Sequence, residues 1–381
     1  MPKTAYSQRF KRELDPEQLL SLLGYDLQSD PDFKNLSEKL RDEIHRDVVC
    51  PQCGVGGAVI VSRSNSKKTN KALRQPHFRF LAGDNNNAHH PLCDHYDDDS
   101  SSKSQREQLI YFGNDRSFET KIIRELVAKG IEQKIISQQI IRDMRQWFFD
   151  TKISNQFTMD ISEEALQWTY EISSLFHHRG IPFKPIHAEL PNFDWRHAAI
   201  LQFVEENSHL INIVRTRWWG YEKKIEQRAL SFVRQTQGKT VFNVLALENQ
   251  YRKTIELSCF IVRNLRIVER NLYFFEQHLR LSIKESTVSA FAALLLYISN
   301  WDVEAAISKL VAIVQAPTPT DMNAGNVIGL NPFHDFAAWA NIMKAKEVVQ
   351  YSPNGFNLDA QIEAIEQRLK EQYEDWKAAK S

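Results

Sequence analysis

Three of the chain's four cysteines fall within one stretch, and that clustering constrains the fold more than any other feature of the sequence. The stretch opens on Cys50-Pro-Gln-Cys53 and closes on His89-His90-Pro91-Leu92-Cys93-Asp94-His95, with Pro76-His77-Phe78-Arg79-Phe80 between them. Paired thiols on one tight turn, with a third thiol and several imidazoles further on, match the four-coordinate sulfur and nitrogen donor set of zinc. Gly54 relieves the turn that follows Cys53. Cys50, Cys53 and Cys93 are the expected ligands, and the fourth is to come from His77, His89, His90 or His95. His77 is favoured, because it lies on a predicted strand beside Phe78 and Phe80, which would pack a small core. His90 is the alternate, because His90-x-x-Cys93 mirrors Cys50-x-x-Cys53. A catalytic metal would need an open position and a nearby general base, and the only close acids are Asp94 and those at 97–99. The expected cofactor is therefore a structural Zn²⁺.

The rest of the composition sets the frame. Four cysteines are too few for a disulfide scaffold, and their grouping suits metal ligation in a reducing compartment. No apolar run follows the basic residues at the N-terminus, so no secretory signal is expected. The most apolar stretch, residues 288–298, is too short to span a bilayer. The reading is a cytoplasmic protein with no membrane partner. A length of 381 residues predicts two or three domains. Thirteen Gly and thirteen Pro are few for that length and favour long helices.

The expected fold is mainly α: a large helical body with a small N-terminal zinc-bound α/β module. Residues 1–46 read as N-terminal helices. One starts at Asp15-Pro16, a cap and first-turn pair. Another starts at Asp30-Pro31, with Phe33, Leu36, Leu40 and Ile44 forming one apolar stripe. Residues 47–96 form the zinc-binding module, with strands predicted at 58–62 and 75–81. The Asp- and Ser-rich run at 97–104 makes residues 97–115 a linker. Residues 116–190 read as a helical domain, with Gly130 as a C-cap, Ser137 as a candidate N-cap, and either Asp160 or Ser162 opening a third helix. Residues 191–381 read as a second helical domain carrying basic, aromatic helices, among them a long one over 241–284 and an amphipathic last one over 358–379.

A resemblance enters at the cysteine-rich stretch. Cys50-Pro-Gln-Cys53, Lys67, Lys68 and Pro76-His77-Phe78-Arg79 resemble the N-terminal zinc-binding segment of bacterial competence CoiA-like proteins, over about residues 49–93. That family pairs the segment with a nuclease-like domain and usually reads His-Phe-x-His, where this chain has Phe80 in place of the second His. The resemblance implies a bacterial setting such as DNA uptake, mobile elements or phage defence. A nuclease of the Asp…Glu-x-Lys type would hold Mg²⁺ on a strand edge. The nearest candidates are Glu248-Asn-Gln250, which fits a strand end or a helix, and Glu119-x-Lys121, which falls on a predicted helix.

The formal net charge of zero hides a local excess: residues 196–285 hold fifteen Lys or Arg against nine Asp or Glu. Within them Arg215, Arg217, Trp218, Lys223 and Lys224 interleave cations with rings, and Arg263, Arg266 and Arg270 are spaced to share one helix face. Such a surface suits phosphate contact and base stacking, which makes nucleic acid the expected partner. The alternative is a salt-bridged solvated face. The leading reading is a non-enzymatic or accessory zinc-containing nucleic-acid-binding protein. The alternatives are a helical scaffold that docks a protein partner or a second copy of itself, and a divergent metal-dependent nuclease.

Overall fold

The computed structural model of the protein describes residues 4–62, 64–65, 72–74, 76–81, 88–93, 95–96, 108–112, 118–217, 223–267, 287–325, 327–352 and 355–380. It is mainly helical with small sheets, as the scarcity of helix breakers implies. The chain forms two compact units, each assembled from separate stretches: Met1–Gln156 with Ala246–His334, and Phe157–Leu245 with Asp335–Ser381. The boundary read from sequence at residue 190 falls inside the second unit.

In the first unit, β1 (Ala5–Ser7) pairs antiparallel with both β2 (Arg12–Leu14) and β3 (Val48–Val49). Helix α1 (Pro16–Leu22) begins as expected, with Asp15 accepting a hydrogen bond from the Gln18 N–H and the Gln18 side chain reciprocating. Helix α2 (Glu38–Asp47) starts later than Asp30-Pro31 suggests, with Ser37 as its cap. The reason lies at Asp30, whose carboxylate accepts from the Asn35 N–H at 2.6 Å and the Tyr25 hydroxyl at 2.7 Å, holding a non-helical turn. Phe33 takes φ +59 within that turn, and its buried ring joins Leu36 and Ile44 in the core. The apolar stripe thus faces the core although only its C-terminal half is helical. Strand β4 (Ala58–Val61) pairs antiparallel with β7 (His77–Phe80), Ala58 opposite Phe80 and Val61 opposite His77. Between them, β5 (Ser64–Asn65) pairs with β6 (Ala72–Arg74).

The remainder of the first unit surrounds α10 (Thr287–Tyr297), the stretch that is most apolar in the sequence. Every residue from Val288 to Leu296 is buried, as expected for a helix that is hydrophobic all round. Around it lie α3 (Phe118–Glu132), α4 (Gln138–Ser154), α9 (Glu248–Leu265) and α11 (Val303–Gln315). Gly130 does not cap α3. It lies within that helix, packed so closely that an added Cβ would come 2.7 Å from Ile136 Cδ1 and displace that side-chain end. Part of the segment read as a linker is structured: β8 (Leu109–Tyr111) pairs with β9 (Ile328–Leu330). Residues 97–107 and 113–117 lie outside the described residues. No helix among the described residues is long and apolar enough to cross a membrane.

In the second unit, α6 (Trp195–Glu206) packs along α13 (Leu358–Ala378), and α5 (Glu163–Ser174), α8 (Lys223–Thr236) and α12 (Phe336–Val349) pack on one another. Ser162 caps α5 by accepting from the Ala165 N–H. Trp168 is buried and donates its indole N–H to Gln361 at 2.9 Å, while Phe232 and Trp339 stack with centroids 4.6 Å apart. The periodicity of the last helix is met: Leu358, Ile362, Ile365 and Leu369 are its buried side.

Leu369 is almost fully enclosed by this core, so Leu369→Ala should destabilise the chain by about 2–5 kcal/mol in denaturant unfolding. Asp30 tests a different constraint. The Asn35 N–H and the Tyr25 hydroxyl hold its carboxyl below the usual aspartate range. A depressed folded-state pKa stabilises above that range, and the stabilisation is lost as pH falls through the folded pKa. Asp30→Asn should therefore melt earlier than the parent at pH 7, and the gap should narrow as the pH is taken below the aspartate range.

Candidate metal centre

Two tight turns build the site. The first follows β3, where the Cys50 N–H donates to Val55 O at 2.8 Å and the Gly54 N–H donates to Cys50 O at 3.1 Å. Gly54 takes φ +70, a conformation that favours glycine and lets the chain fold back after Cys53. The second turn is closed by the Cys93 N–H donating to His90 O at 2.8 Å. These turns bring Cys50, Cys53, His89 and Cys93 together, with one donor atom from each lying within 4.8 Å of the others. Among the described residues this is the one cluster of three or more His, Cys, Asp or Glu that could hold a metal ion.

The spacing of the donors tests whether a metal fits. With Zn–S near 2.3 Å and Zn–N near 2.0–2.1 Å, a tetrahedron places sulfurs about 3.8 Å apart and sulfur about 3.6 Å from nitrogen. Cys50 Sγ and Cys93 Sγ are 3.9 Å apart, and His89 Nδ1 is 3.4 Å from Cys53 Sγ and 3.7 Å from Cys93 Sγ. The donor set suits a tetrahedral ion, and these three of its six edges match the expected lengths, with the others within 4.8 Å. Cys50, Cys93 and His89 are buried and Cys53 is half-buried. Burial, reinforced by the neighbouring Cys53, pushes the Cys50 thiol up to about 12, and burial likewise raises Cys93. Hydrogen bonds from both hold Cys53 down as the thiolate of the group. A cation entering here displaces the remaining thiol protons, which couples its binding to pH. Beside the site, burial, with His89 and Arg145 nearby, holds His95 well below the usual histidine range.

Of the expected ligands, Cys50, Cys53 and Cys93 meet as read, but the histidine that joins them is His89, not His77 or His90. Side chains alternate along a strand, so His77 points to the face opposite Phe78 and Phe80. It is Phe78 and Phe80 that pack with Cys50 and Cys93, and Phe80 meets the His89 ring edge-on at 5.1 Å. His90 is turned away. Its Nδ1 accepts from the Leu92 N–H at 3.1 Å, and its ring lies edge-on to Phe149 at 5.5 Å. The signal that could have found His89 is this alternation combined with the tight His90–Cys93 turn.

The other singled-out residues do not form a second site among the described residues. Helix α9 ends at Leu265, and Arg266 takes φ 49, so the spacing that would set Arg263, Arg266 and Arg270 on one helix face is broken. Arg215 and Arg217 lie at the end of α7 (Ser208–Arg217), but their side chains, like Trp218 and Arg270 as a whole, fall outside the described residues. Lys223 and Lys224 are exposed in the first turn of α8. Much of the positive excess of residues 196–285 is met by acids from elsewhere in the chain. Arg196 pairs with Asp359, Arg228 with Asp335 at 2.8 Å, and Arg234 with Glu163 at 2.6 Å. Glu248 is the first residue of α9 and pairs with Arg252 at 2.8 Å, so it is a helix-start carboxylate and not one on a strand edge. Glu119 lies on α3 and accepts from the Thr287 hydroxyl at 2.9 Å.

No protein-family model, curated protein or solved structure matches the chain.

The geometry separates the candidate histidines. His89→Ala should weaken Co²⁺ or Zn²⁺ binding by tenfold or more and change the cobalt d–d spectrum, whereas His77→Ala and His90→Ala should leave both close to the parent. Equal loss in His77→Ala would return that residue to the donor set.

Proposed function

We propose that Cys50, Cys53, His89 and Cys93 hold a structural zinc ion that cross-links the start of the chain to the turn at 89–93. The tetrahedral edges among the four donors carry this reading. Three thiolates and an imidazole complete a four-coordinate sphere and leave no position for substrate, as in structural zinc sites generally. Zinc bound there would supply a cross-link and charge neutralisation. The protein would supply the two turns and the apolar shell of Phe78, Phe80 and Ile44 that shields the sulfurs. Purified protein should carry about one zinc per chain, and Cys50→Ser should abolish that stoichiometry. A strong chelator should lower the melting temperature of the parent and leave that of Cys50→Ser unchanged. A parent protein lacking stoichiometric zinc would refute the assignment.

On this zinc-stabilised module and its helical body we place an accessory nucleic-acid-binding role, in keeping with the competence-like residues 49–93. One observation favours it. Lys223 and Lys224 stand exposed in the first turn of α8, and no acid pairs with either among the described residues. Glu226 shares that first turn, so two lysines against one carboxylate leave an excess positive charge at the positive end of the helix dipole, which a phosphate backbone would offset. Binding to a DNA duplex should fall steeply with salt. The double variant Lys223→Ala/Lys224→Ala should weaken it and flatten the log–log salt slope by about two. Absence of binding at low salt would remove this role and favour a protein-docking one.

A further inference from the structure

Gln52, between the two cysteines of the first turn, is buried to 1 % exposure, unusually deep for an amide on a turn. Its Oε1 lies 3.4 Å from Cys93 Sγ, where it can accept only from a protonated thiol. In the zinc-bound site proposed above, on which this inference rests, Cys93 is a thiolate and has no proton to give. Three thiolates, one neutral imidazole and a divalent ion together carry one net negative charge. Buried charge of that kind requires hydrogen-bond donors. A half-turn about the last side-chain torsion of Gln52 exchanges Oε1 and Nε2, and the amide keeps nearly the same shape while its donor side takes the place of its acceptor side. The same buried amide then presents an N–H to Cys93 Sγ at the distance now held by its oxygen.

We propose that Gln52 is a positioning residue of the metal site: its side-chain N–H donates to the Cys93 thiolate, stabilising the negative cluster and fixing the orientation of that sulfur. Residues that hydrogen-bond metal ligands typically govern affinity by about 10- to 100-fold. The Cys-Pro-Gln-Cys turn thus contributes a third functional group besides its two sulfurs. The neutral amide supplies the donor without adding a charge to be buried.

The test uses the full-length chain and two near-isosteric variants. Gln52→Leu keeps the volume and removes the donor, and Gln52→Glu keeps the shape and turns the donor into an acceptor. Zinc affinity is read by competition with a chromophoric chelator, and Co²⁺ substitution reads the thiolate-to-metal charge-transfer band. The expected result is zinc affinity about 10- to 100-fold weaker in Gln52→Leu, and no stronger in Gln52→Glu. In the cobalt form of Gln52→Leu the charge-transfer band should shift to lower energy, because a thiolate without its hydrogen bond is easier to oxidise, while the tetrahedral d–d bands persist. That spectral shift distinguishes a donor to sulfur from a packing role. Should Gln52→Leu fail to fold, Gln52→Glu and selectively ¹⁵N-glutamine-labelled parent decide the question. The Gln52 amide protons should move downfield on metal binding, and an unchanged position would overturn the proposal. A parent that binds zinc with both variants matching its affinity and spectrum would also overturn it while leaving the zinc site intact. A parent that binds no metal would remove the zinc site and this proposal together.

Discussion

Cys50 and Cys93 are 43 residues apart in sequence and 3.9 Å apart in space, and the N-terminal core depends on that approach. The two sulfurs lie in the same apolar cluster as Leu19 and Leu20 of α1, Ile44 of α2, Ala58 and Ile60 of β4, and Phe78 and Phe80 of β7. None of these elements is long enough to bury its apolar face alone. Two short helices, a hairpin of four-residue strands and Phe149 of α4 share this core, and elements so short gain from a metal or covalent cross-link between them. A metal bound there would couple its binding to folding of the segment, because the donors meet only when the two turns have closed.

Beyond this module the chain uses ordinary helical packing with an unusual path. Each unit is closed by a stretch that returns from far along the sequence. In the first, the enclosed helix α10 and strand β9 return to α3 and β8. In the second, α12 and α13 return to α5, α6 and α8. The arginines of the middle segment take part in that closure. Arg228 meets Asp335 through a forked contact at the start of α12, and Arg196 meets Asp359 near the start of α13. Charges that look like an unbalanced patch along the sequence are partly balanced once the later helices are in place. Exposed pairs such as Arg234 with Glu163 contribute little stability, but they remove cations from any phosphate-binding surface.

Local signals were legible in the sequence wherever the determinant is local. The caps at Asp15, Ser137 and Ser162 act over three residues, and each accepts the backbone hydrogen bond its position implies. The apolar sides of α10 and α13 follow from their composition and period. The strands at 58–61 and 77–80 and the three thiols that meet in the cluster were also readable. What misled were features whose meaning is set by something distant. Asp30 resembled a helix cap, yet its carboxylate is taken by Tyr25 and Asn35. Gly130 resembled a terminator, yet it lies inside α3, closely approached by Ile136 and Ile313. The run of arginines at 263, 266 and 270 presupposed a helix that in fact stops at Leu265.

The sequence by itself therefore determined a mainly helical chain and a thiol cluster with the donor chemistry of zinc, because residue type and short spacing decide both. The tertiary structure alone decided which histidine completes the cluster. Four candidates have the same chemistry, and only the pleat of β7 and the turn at 90–93 aim His89 at the sulfurs while turning His77 and His90 aside. It also decided that Gln52, an unremarkable spacer in Cys-x-x-Cys, is sealed against Cys93, since burial is a property of everything packed around a residue and not of the residue itself.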